Sequence, residues 1–399
     1  MDQISIDKSV LRDSFQNELI SILKYWSTYT IDLNNGGFYG ELSDNNEVLQ
    51  NADKGSVLNT RILWSFSAAY NLNQTAEYLI LAERAFNYIC KYFIDPEFGG
   101  IYWSVNAQGK PKNAKKQIYA IAFAIYGLSE YYKASKDKTA LTLAIKLHND
   151  IEQHSFDTTN GGYLEAFTQK WYLIDDLRLS NKDANEKKTM NTHLHILEAY
   201  TNLYSIWPDN ELNNQLKKLI NYFEQYFINH KSFHLNLFLD ENWAVKSDTI
   251  SYGHDIEASW LLLRAAEVLN DHVITERVKK AAVKIAYASA KGINNDGSLN
   301  YEHEPSLQKS ITERHWWVQA EAVVGYYNAF QITAENHFLN KSVSVWNYTK
   351  QYIIDHKKGE WFWGINNDGS VMNGHGKVGF WKCPYHNSRA CIEMVNRLN

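Results

Sequence analysis

Proline and cysteine are both scarce in this chain, which has 5 and 3 of them in 399 residues. With so few prolines and no Pro/Ser-rich stretch, no segment reads as a linker. A single domain over 1–399 is therefore expected. Cys90, Cys383 and Cys391 cannot all pair and show no C-x-x-C spacing. Reduced thiols in a cytoplasmic protein are the expectation. No apolar run approaches the roughly 20 residues that cross a bilayer, so no membrane partner is expected. Met1-Asp2-Gln3-Ile4-Ser5-Ile6-Asp7 lacks the basic start and apolar core of a signal peptide. Positive charge is not in excess either. The formal net charge of −5 argues against the basic stripe that a nucleic-acid partner would need.

Aromatic residues are abundant: 13 Trp, 26 Tyr and 17 Phe. Most have to fill a large core. Sugar rings also stack their C–H faces on such side chains, while convergent polar groups bind their hydroxyls. An aromatic-rich, weakly acidic chain is compatible with carbohydrate chemistry.

Glycine recurs in a pattern. Asn34-Asn35-Gly36-Gly37-Phe38-Tyr39, Phe98-Gly99-Gly100-Ile101-Tyr102 and Asn160-Gly161-Gly162-Tyr163 lie about 62 residues apart. Weaker echoes follow at Asn295-Asp296-Gly297-Ser298 and Lys358-Gly359-Glu360-Trp361. A fixed period marks one supersecondary unit used repeatedly. Here the unit reads as a turn-rich strand pair followed by two helices, and about six units fill the chain. Three-four spacing of apolar residues predicts helices over about 10–29, 54–71, 76–94, 113–134, 137–155, 187–207, 210–229, 252–270, 272–291, 311–332, 335–355 and 384–397. One kind is amphipathic, as in 335–355, and suits an outer ring. The other is apolar or small on nearly every side, as in 119–132, and suits an inner ring. The expected fold is all-α, an (α/α)6 barrel with short hairpins at one rim. An open α-solenoid is the alternative, but it needs polar capping repeats, and none is evident. A monomer is expected, because no helix shows an exposed apolar face.

Each inner helix carries polar or aromatic residues in its first turns. These are Asn59, Arg61 and Trp64; Tyr119; Asn191, His193 and His195; His254, Asp255 and Glu257; Arg314, His315, Trp316, Trp317 and Glu321; and the run Trp381–Arg389. A closed ring gathers such positions into one pocket. Residues three or four apart share a helical face. Asn191, His195 and Glu198 therefore line up while His193 points elsewhere, and His254 shares a face with Glu257. His254 and His386 fall at helix N-termini, where the macrodipole disfavours the imidazolium and leaves a proton acceptor. Two such histidines suit proton removal and return. A glycosidase would want two carboxylates across a cleft; Asp255, Glu257 and Glu321 are the candidates. A metal held by His195, His254, His386 and Glu257 is a further alternative, although no H-E-x-x-H is present.

Four runs carry a family resemblance: Lys54–Trp64, Asn191–Tyr200, Gly253–Trp260 and Pro384–Ala390. Together they strongly resemble the cellobiose 2-epimerases, within the N-acylglucosamine 2-epimerase superfamily of (α/α)6 barrels. The resemblance spans essentially the whole chain. It implies reversible epimerisation at C2 of the reducing-end glucose of a β-1,4-linked disaccharide, with no cofactor and no metal. It implies His254 and His386 as the acid/base pair and His195 as a third essential histidine. Arg61, Tyr119 and Asn191 would hold the reacting end, and Glu257 would orient His254. Trp316, Trp317 and Trp381 would contact the sugars, with Trp381 near the non-reacting ring. Asp183 would reach substrate from the Asn181–Lys188 loop. Sister activities on the same scaffold, an N-acylglucosamine 2-epimerase or a mannose isomerase, are the nearest rivals.

Overall fold

The computed structural model describes residues 7–399. Met1–Ile6, which hold most of the segment read above for a signal peptide, lie outside the described residues. Among the described residues, twelve α-helices alternate between two rings. The outer ring is α1 (Lys8–Tyr29), α3 (Ala76–Tyr92), α5 (Lys138–His154), α7 (Asn210–Tyr222), α9 (His272–Ser289) and α11 (Asn336–Tyr348). The inner ring is α2 (Ser56–Asn73), α4 (Ile118–Ser135), α6 (Met190–Tyr204), α8 (Tyr252–Val268), α10 (Trp316–Thr333) and α12 (Tyr385–Arg397). Each inner helix packs on the next, and α12 returns to α2, so the ring closes and the solenoid alternative falls. No described helix is long and apolar enough to cross a membrane.

Burial follows the two kinds of sequence. α5 buries Ala140, Ala144, Leu147, His148 and Ile151, a single stripe at helical spacing. α4 buries Ile118 through Ser129 without a break, because neighbouring helices touch it on every side.

The glycine turns have a shared construction. Asp32, Asp95, Asp157 and Asp355 each accept backbone N–H groups two and three residues on. Each also pairs with a lysine that precedes an inner helix, directly in the first three and at a longer remove in the last: Lys54 at 2.7 Å, Lys116 at 2.7 Å, Lys188 at 2.8 Å and Lys377 at 2.5 Å. The paired glycines then admit a neighbouring outer helix. A Cβ on Gly37, whose φ is +62°, would lie 2.6 Å from the Tyr88 ring of α3. Gly359, the last copy, sits against Tyr25 of α1, so the first helix receives the last turn. Glu360 completes this seam, accepting from Trp26 Nε1, Lys382 Nζ and Asn387 Nδ2 at 2.6–2.8 Å.

Two-residue strands precede the inner helices and stitch one repeat to the next. Lys54–Gly55 pairs with Ser104–Val105, Lys116–Gln117 with Ala166–Phe167, and Lys188–Thr189 with Phe238–Leu239. Ile250–Ser251 and Arg314–His315 pair in the same way, and a Leu42–Val378 bridge closes the rim. These strands correct three expected helix starts. The helices expected over 113–134, 187–207 and 311–332 begin at Ile118, Met190 and Trp316. The last turns of the helices expected over 210–229 and 335–355 widen into π-helical turns at Phe223–Phe227 and Thr349–Ile353.

Candidate active site

The first turns of the inner helices open into a cavity of about 490 Å3. Every site residue expected from sequence lines it: His195, His254, His386, Arg61, Tyr119, Asn191, Asp183, Glu257, Trp316, Trp317 and Trp381. Tyr301, Trp363 and His375 line it as well, and no helical position in the sequence marks them. A second cavity, about 560 Å3, lies among the C-terminal turns of the same helices and carries none of the histidines. Glu198 separates the two, lining the second cavity while bonding His195 above it.

His254 is the third residue of α8 and His386 the second of α12, as their predicted N-terminal positions required. Trp317 lies between them, with ring centroids 4.8 Å from His254 and 5.6 Å from His386. The Nδ1 atom of each histidine is engaged inside the wall. His386 Nδ1 lies 2.6 Å from Glu321 Oε1, and His195 Nδ1 lies 2.9 Å from Glu198 Oε2. A carboxylate only accepts, so these rings carry their proton on Nδ1 and leave Nε2 for a ligand. His254 Nδ1 lies 2.8 Å from Ser251 Oγ. This corrects the expectation that Glu257 orients His254. Glu257 is turned inward, where Arg389 Nη2 donates to its Oε1 at 2.6 Å.

Arg389 is the centre of the site's floor. It is 1% exposed and is tied to Glu198, Glu257 and Glu321, the last two at 2.6 Å from the same Nη2 atom. Tyr385 adds a hydroxyl to Glu198 at 2.6 Å. One guanidinium thus serves three buried carboxylates from three other helices. Burial, with Glu321 beside it, pushes Glu257 up to about 7. Burial also pushes on Glu198, but Arg389 and His195 override it and hold that carboxyl at about 2. Glu257, Glu321 and His386 bring ligand-type atoms within 4.8 Å of one another. The cation among them is the arginine's own. The four-residue metal set considered from sequence is not brought together: among the described residues, Glu257, Glu321 and His386 are the group whose ligand-type atoms come this close, without His195 or His254. The carboxylates offered for a glycosidase are committed too. Glu257 and Glu321 share Arg389, and Asp255 accepts from His234 and from the Leu235 N–H.

Both candidate proton-transfer histidines are held neutral. Burial, reinforced by His195, pushes His254 down to about 3. Burial, then Arg61 and Arg389, push His386 well below the ordinary imidazole range. The helix N-termini invoked from sequence add to these larger causes. Arg61 donates to the Tyr119 hydroxyl at 2.7 Å and lies over the rings of Phe123 and Tyr385. Its Nε, Asn191 Oδ1 and Trp316 Nε1 are buried without a protein partner, and buried polar atoms of this kind are satisfied by water or a ligand. Asp183 accepts from the Ser180 N–H at 2.8 Å, which folds its loop over the cavity wall.

His193 points away from the cavity, as its helical angle required. Its Nδ1 meets Thr189 O at 2.7 Å, and its Nε2 accepts from the Tyr163 N–H at 2.9 Å. Burial pushes it down to about 3 from 6.5. The unfolded chain therefore binds a proton here that the folded chain refuses. The stability this ring contributes is whole above pH 6.5 and is lost as pH falls towards 3. Urea unfolding should show the advantage of wild type over His193→Gln shrinking by about 1.4 kcal/mol per pH unit below 6.5. An unchanged gap between pH 7 and pH 5 would contradict this.

Comparison with known proteins agrees with the geometry. The family model for N-acylglucosamine 2-epimerase matches residues 37–390. A cellobiose 2-epimerase of Bacteroides fragilis is 50% identical over 97% of this chain and 99% of its own. One of Ruminococcus albus is 41% identical over 94% of this chain and 96% of its own. The solved cellobiose 2-epimerase of Bacillus thermoamylovorans superposes with a TM-score of 0.93 at 39% identity, covering 98% of this chain and all (100%) of that one.

Proposed function

The chain belongs to the N-acylglucosamine 2-epimerase family, and from that membership and the geometry of the cavity we propose that it reversibly epimerises C2 of the reducing-end glucose of β-1,4-linked disaccharides. Cellobiose would give glucosyl-mannose, and lactose would give epilactose. The observation that carries the reading is the histidine pair. His254 and His386 flank one tryptophan at the mouth of the inner ring, each with Nδ1 already engaged.

The chemistry follows from what these groups can do. The C2 proton is acidic only when C1 is an aldehyde, so the sugar ring opens first. A neutral imidazole Nε2 then removes the proton, and the electrons pass into a cis-enediolate. The negative charge on its oxygens is met by Arg61, which burial keeps from competing water, and by His195 when its Nε2 also carries a proton and can donate. Rotation about C2–C3, or exchange of acid and base roles, presents the other face. The second histidine, protonated at Nε2 from solvent while the enediolate holds its negative charge, then returns a proton to C2, and the first releases the one it took. Glu321 would stabilise the imidazolium form of His386, as a buried carboxylate does for a histidine that alternates charge. Trp317 and Trp381 offer ring faces for the two sugars, Asn191 and Tyr119 offer hydrogen bonds, and Asp183 reaches in from its loop. No redox partner enters, because the reaction moves a proton within one molecule.

Incubation with cellobiose and separation of the products tests this reading. Glucosyl-mannose is the expected product. Glucosyl-fructose alone would make the protein an isomerase, which returns the proton to C1, and free glucose would make it a hydrolase.

A further inference from the structure

We propose that Ser251 is the positioning residue of His254, a neutral anchor that holds the ring as its Nδ1–H tautomer and leaves Nε2 free to meet the substrate. This rests on the assignment of His254 to proton transfer given above.

Ser251 occupies the N-cap of α8, with φ −109° and ψ 103°. At such a position a serine hydroxyl ordinarily accepts an N–H of the helix's first turn, worth about 1 kcal/mol. Asp137, Thr189, Asp209 and Asp271 do this for α5, α6, α7 and α9. Ser251 makes no such bond. Its hydroxyl oxygen, in a residue 1% exposed, instead faces His254 Nδ1 at 2.8 Å. A cap is forgone and a catalytic ring is held instead.

The other two histidines assigned to the chemistry, His195 and His386, rest on carboxylates, Glu198 and Glu321. A carboxylate beneath Nδ1 favours the imidazolium, whereas a hydroxyl adds geometry without charge. Other titratable groups face His254 from the neighbouring elements. They are His195 on α6, His386 on α12, Glu257 on its own helix, Lys182 and Asp183 on the loop before α6, and Tyr301, Glu302 and Glu304 on the rim; His315 and Glu313 precede α10. None of them hydrogen-bonds the ring, so Ser251 is its one partner, and a base that acts through Nε2 requires the hydroxyl to accept from Nδ1–H. Ile250–Ser251 is also one of the two-residue strands, paired with Glu302–His303. The anchor is therefore set by the rim and not by the helix it precedes.

Three variants and one spectrum test the assignment. Ser251→Ala should lower kcat on the order of tenfold to a hundredfold, the loss that follows misplacement of a reacting group. KM should stay within about threefold, and Tm should hold because no cap bond is removed. Ser251→Thr should restore most of the rate. Ser251→Asp should move the acidic limb of the kcat/KM profile up by about one pH unit or more, since a carboxylate raises the ring's proton affinity. In the free protein, 15N spectra of the imidazoles should give His254 as the Nδ1–H tautomer in wild type and a mixture in Ser251→Ala. Wild-type kcat and pH profile in Ser251→Ala, or an Nε2–H tautomer for His254 in wild type, would overturn the proposal. The ring spectra need no substrate, so they decide the anchor even if cellobiose proves not to be epimerised.

Discussion

His386→Asn and His254→Asn are each expected to lower turnover of cellobiose by about a thousandfold or more, the share that a positioned general acid or base contributes. The fold should survive both changes. His386 touches its surroundings through one bond to Glu321 and ring contacts with Trp316, Trp317 and Tyr385. An asparagine amide can still donate to that carboxylate, and His254→Asn can still reach Ser251. Circular dichroism and the thermal midpoint should therefore stay near wild type while turnover collapses. The two variants should differ in half-reactions. If one histidine serves each face of C2, each variant should retain removal of the proton from one epimer and lose it from the other. Activity within about tenfold of wild type in either variant would remove that residue from the pair.

Arg389→Met is expected to have the largest effect on stability. The guanidinium is the single cation among Glu198, Glu257 and Glu321. Removing one partner of a buried ion pair costs about 3–5 kcal/mol, because the other charge stays buried and unpaired. Here three carboxylates are left, against a total stability of about 5–15 kcal/mol. Soluble yield should fall sharply, and any folded protein should unfold at a much lower urea midpoint. Arg389→Met combined with Glu257→Gln should recover part of the loss, since one fewer carboxyl lacks a partner. Turnover should fall in the single variant as well, because Glu321 holds His386. A urea midpoint in Arg389→Met like that of wild type would show that the floor does not depend on this charge.

The sequence carried the fold's plan with little loss. Glycine pairs at a regular interval could be read as turns because Gly36, Gly37, Gly99, Gly100, Gly161 and Gly162 all have positive φ. Their partner aspartates and lysines carry no local signal, since Asp32 and Lys54 lie 22 residues apart and only the folded hairpin joins them. Helix starts were placed early at 113, 187 and 311 because the rim strands continue the helices' mixture of apolar and polar residues. Two residues cannot show a strand's period.

The site was legible wherever position on a helix sufficed. Arg61, Tyr119, His195, His254, Trp317 and His386 share a depth in the barrel, and periodicity shows depth. What lay beyond reach were contacts between repeats. Arg389 meets Glu257 and Glu198 across 132 and 191 residues of chain, and nothing local says that an arginine one turn after His386 faces three glutamates. The family resemblance implies Glu257 as the residue that orients His254, and the two do share a helical face. The ring's real partner is Ser251, three residues earlier and outside the helix. Glu321 was weighed only as a hydrolytic carboxylate, because its bond to His386 joins α10 to α12.

The central claim is proton transfer at C2 between two histidines, and isotope incorporation tests it most directly. Cellobiose incubated with the protein in heavy water should gain deuterium at C2 in both the recovered cellobiose and the glucosyl-mannose formed, with none entering without protein. Conversion to glucosyl-mannose with hydrogen fully retained at C2 in every product, at all extents of reaction, would contradict exchange through two separate solvent-equilibrated histidines.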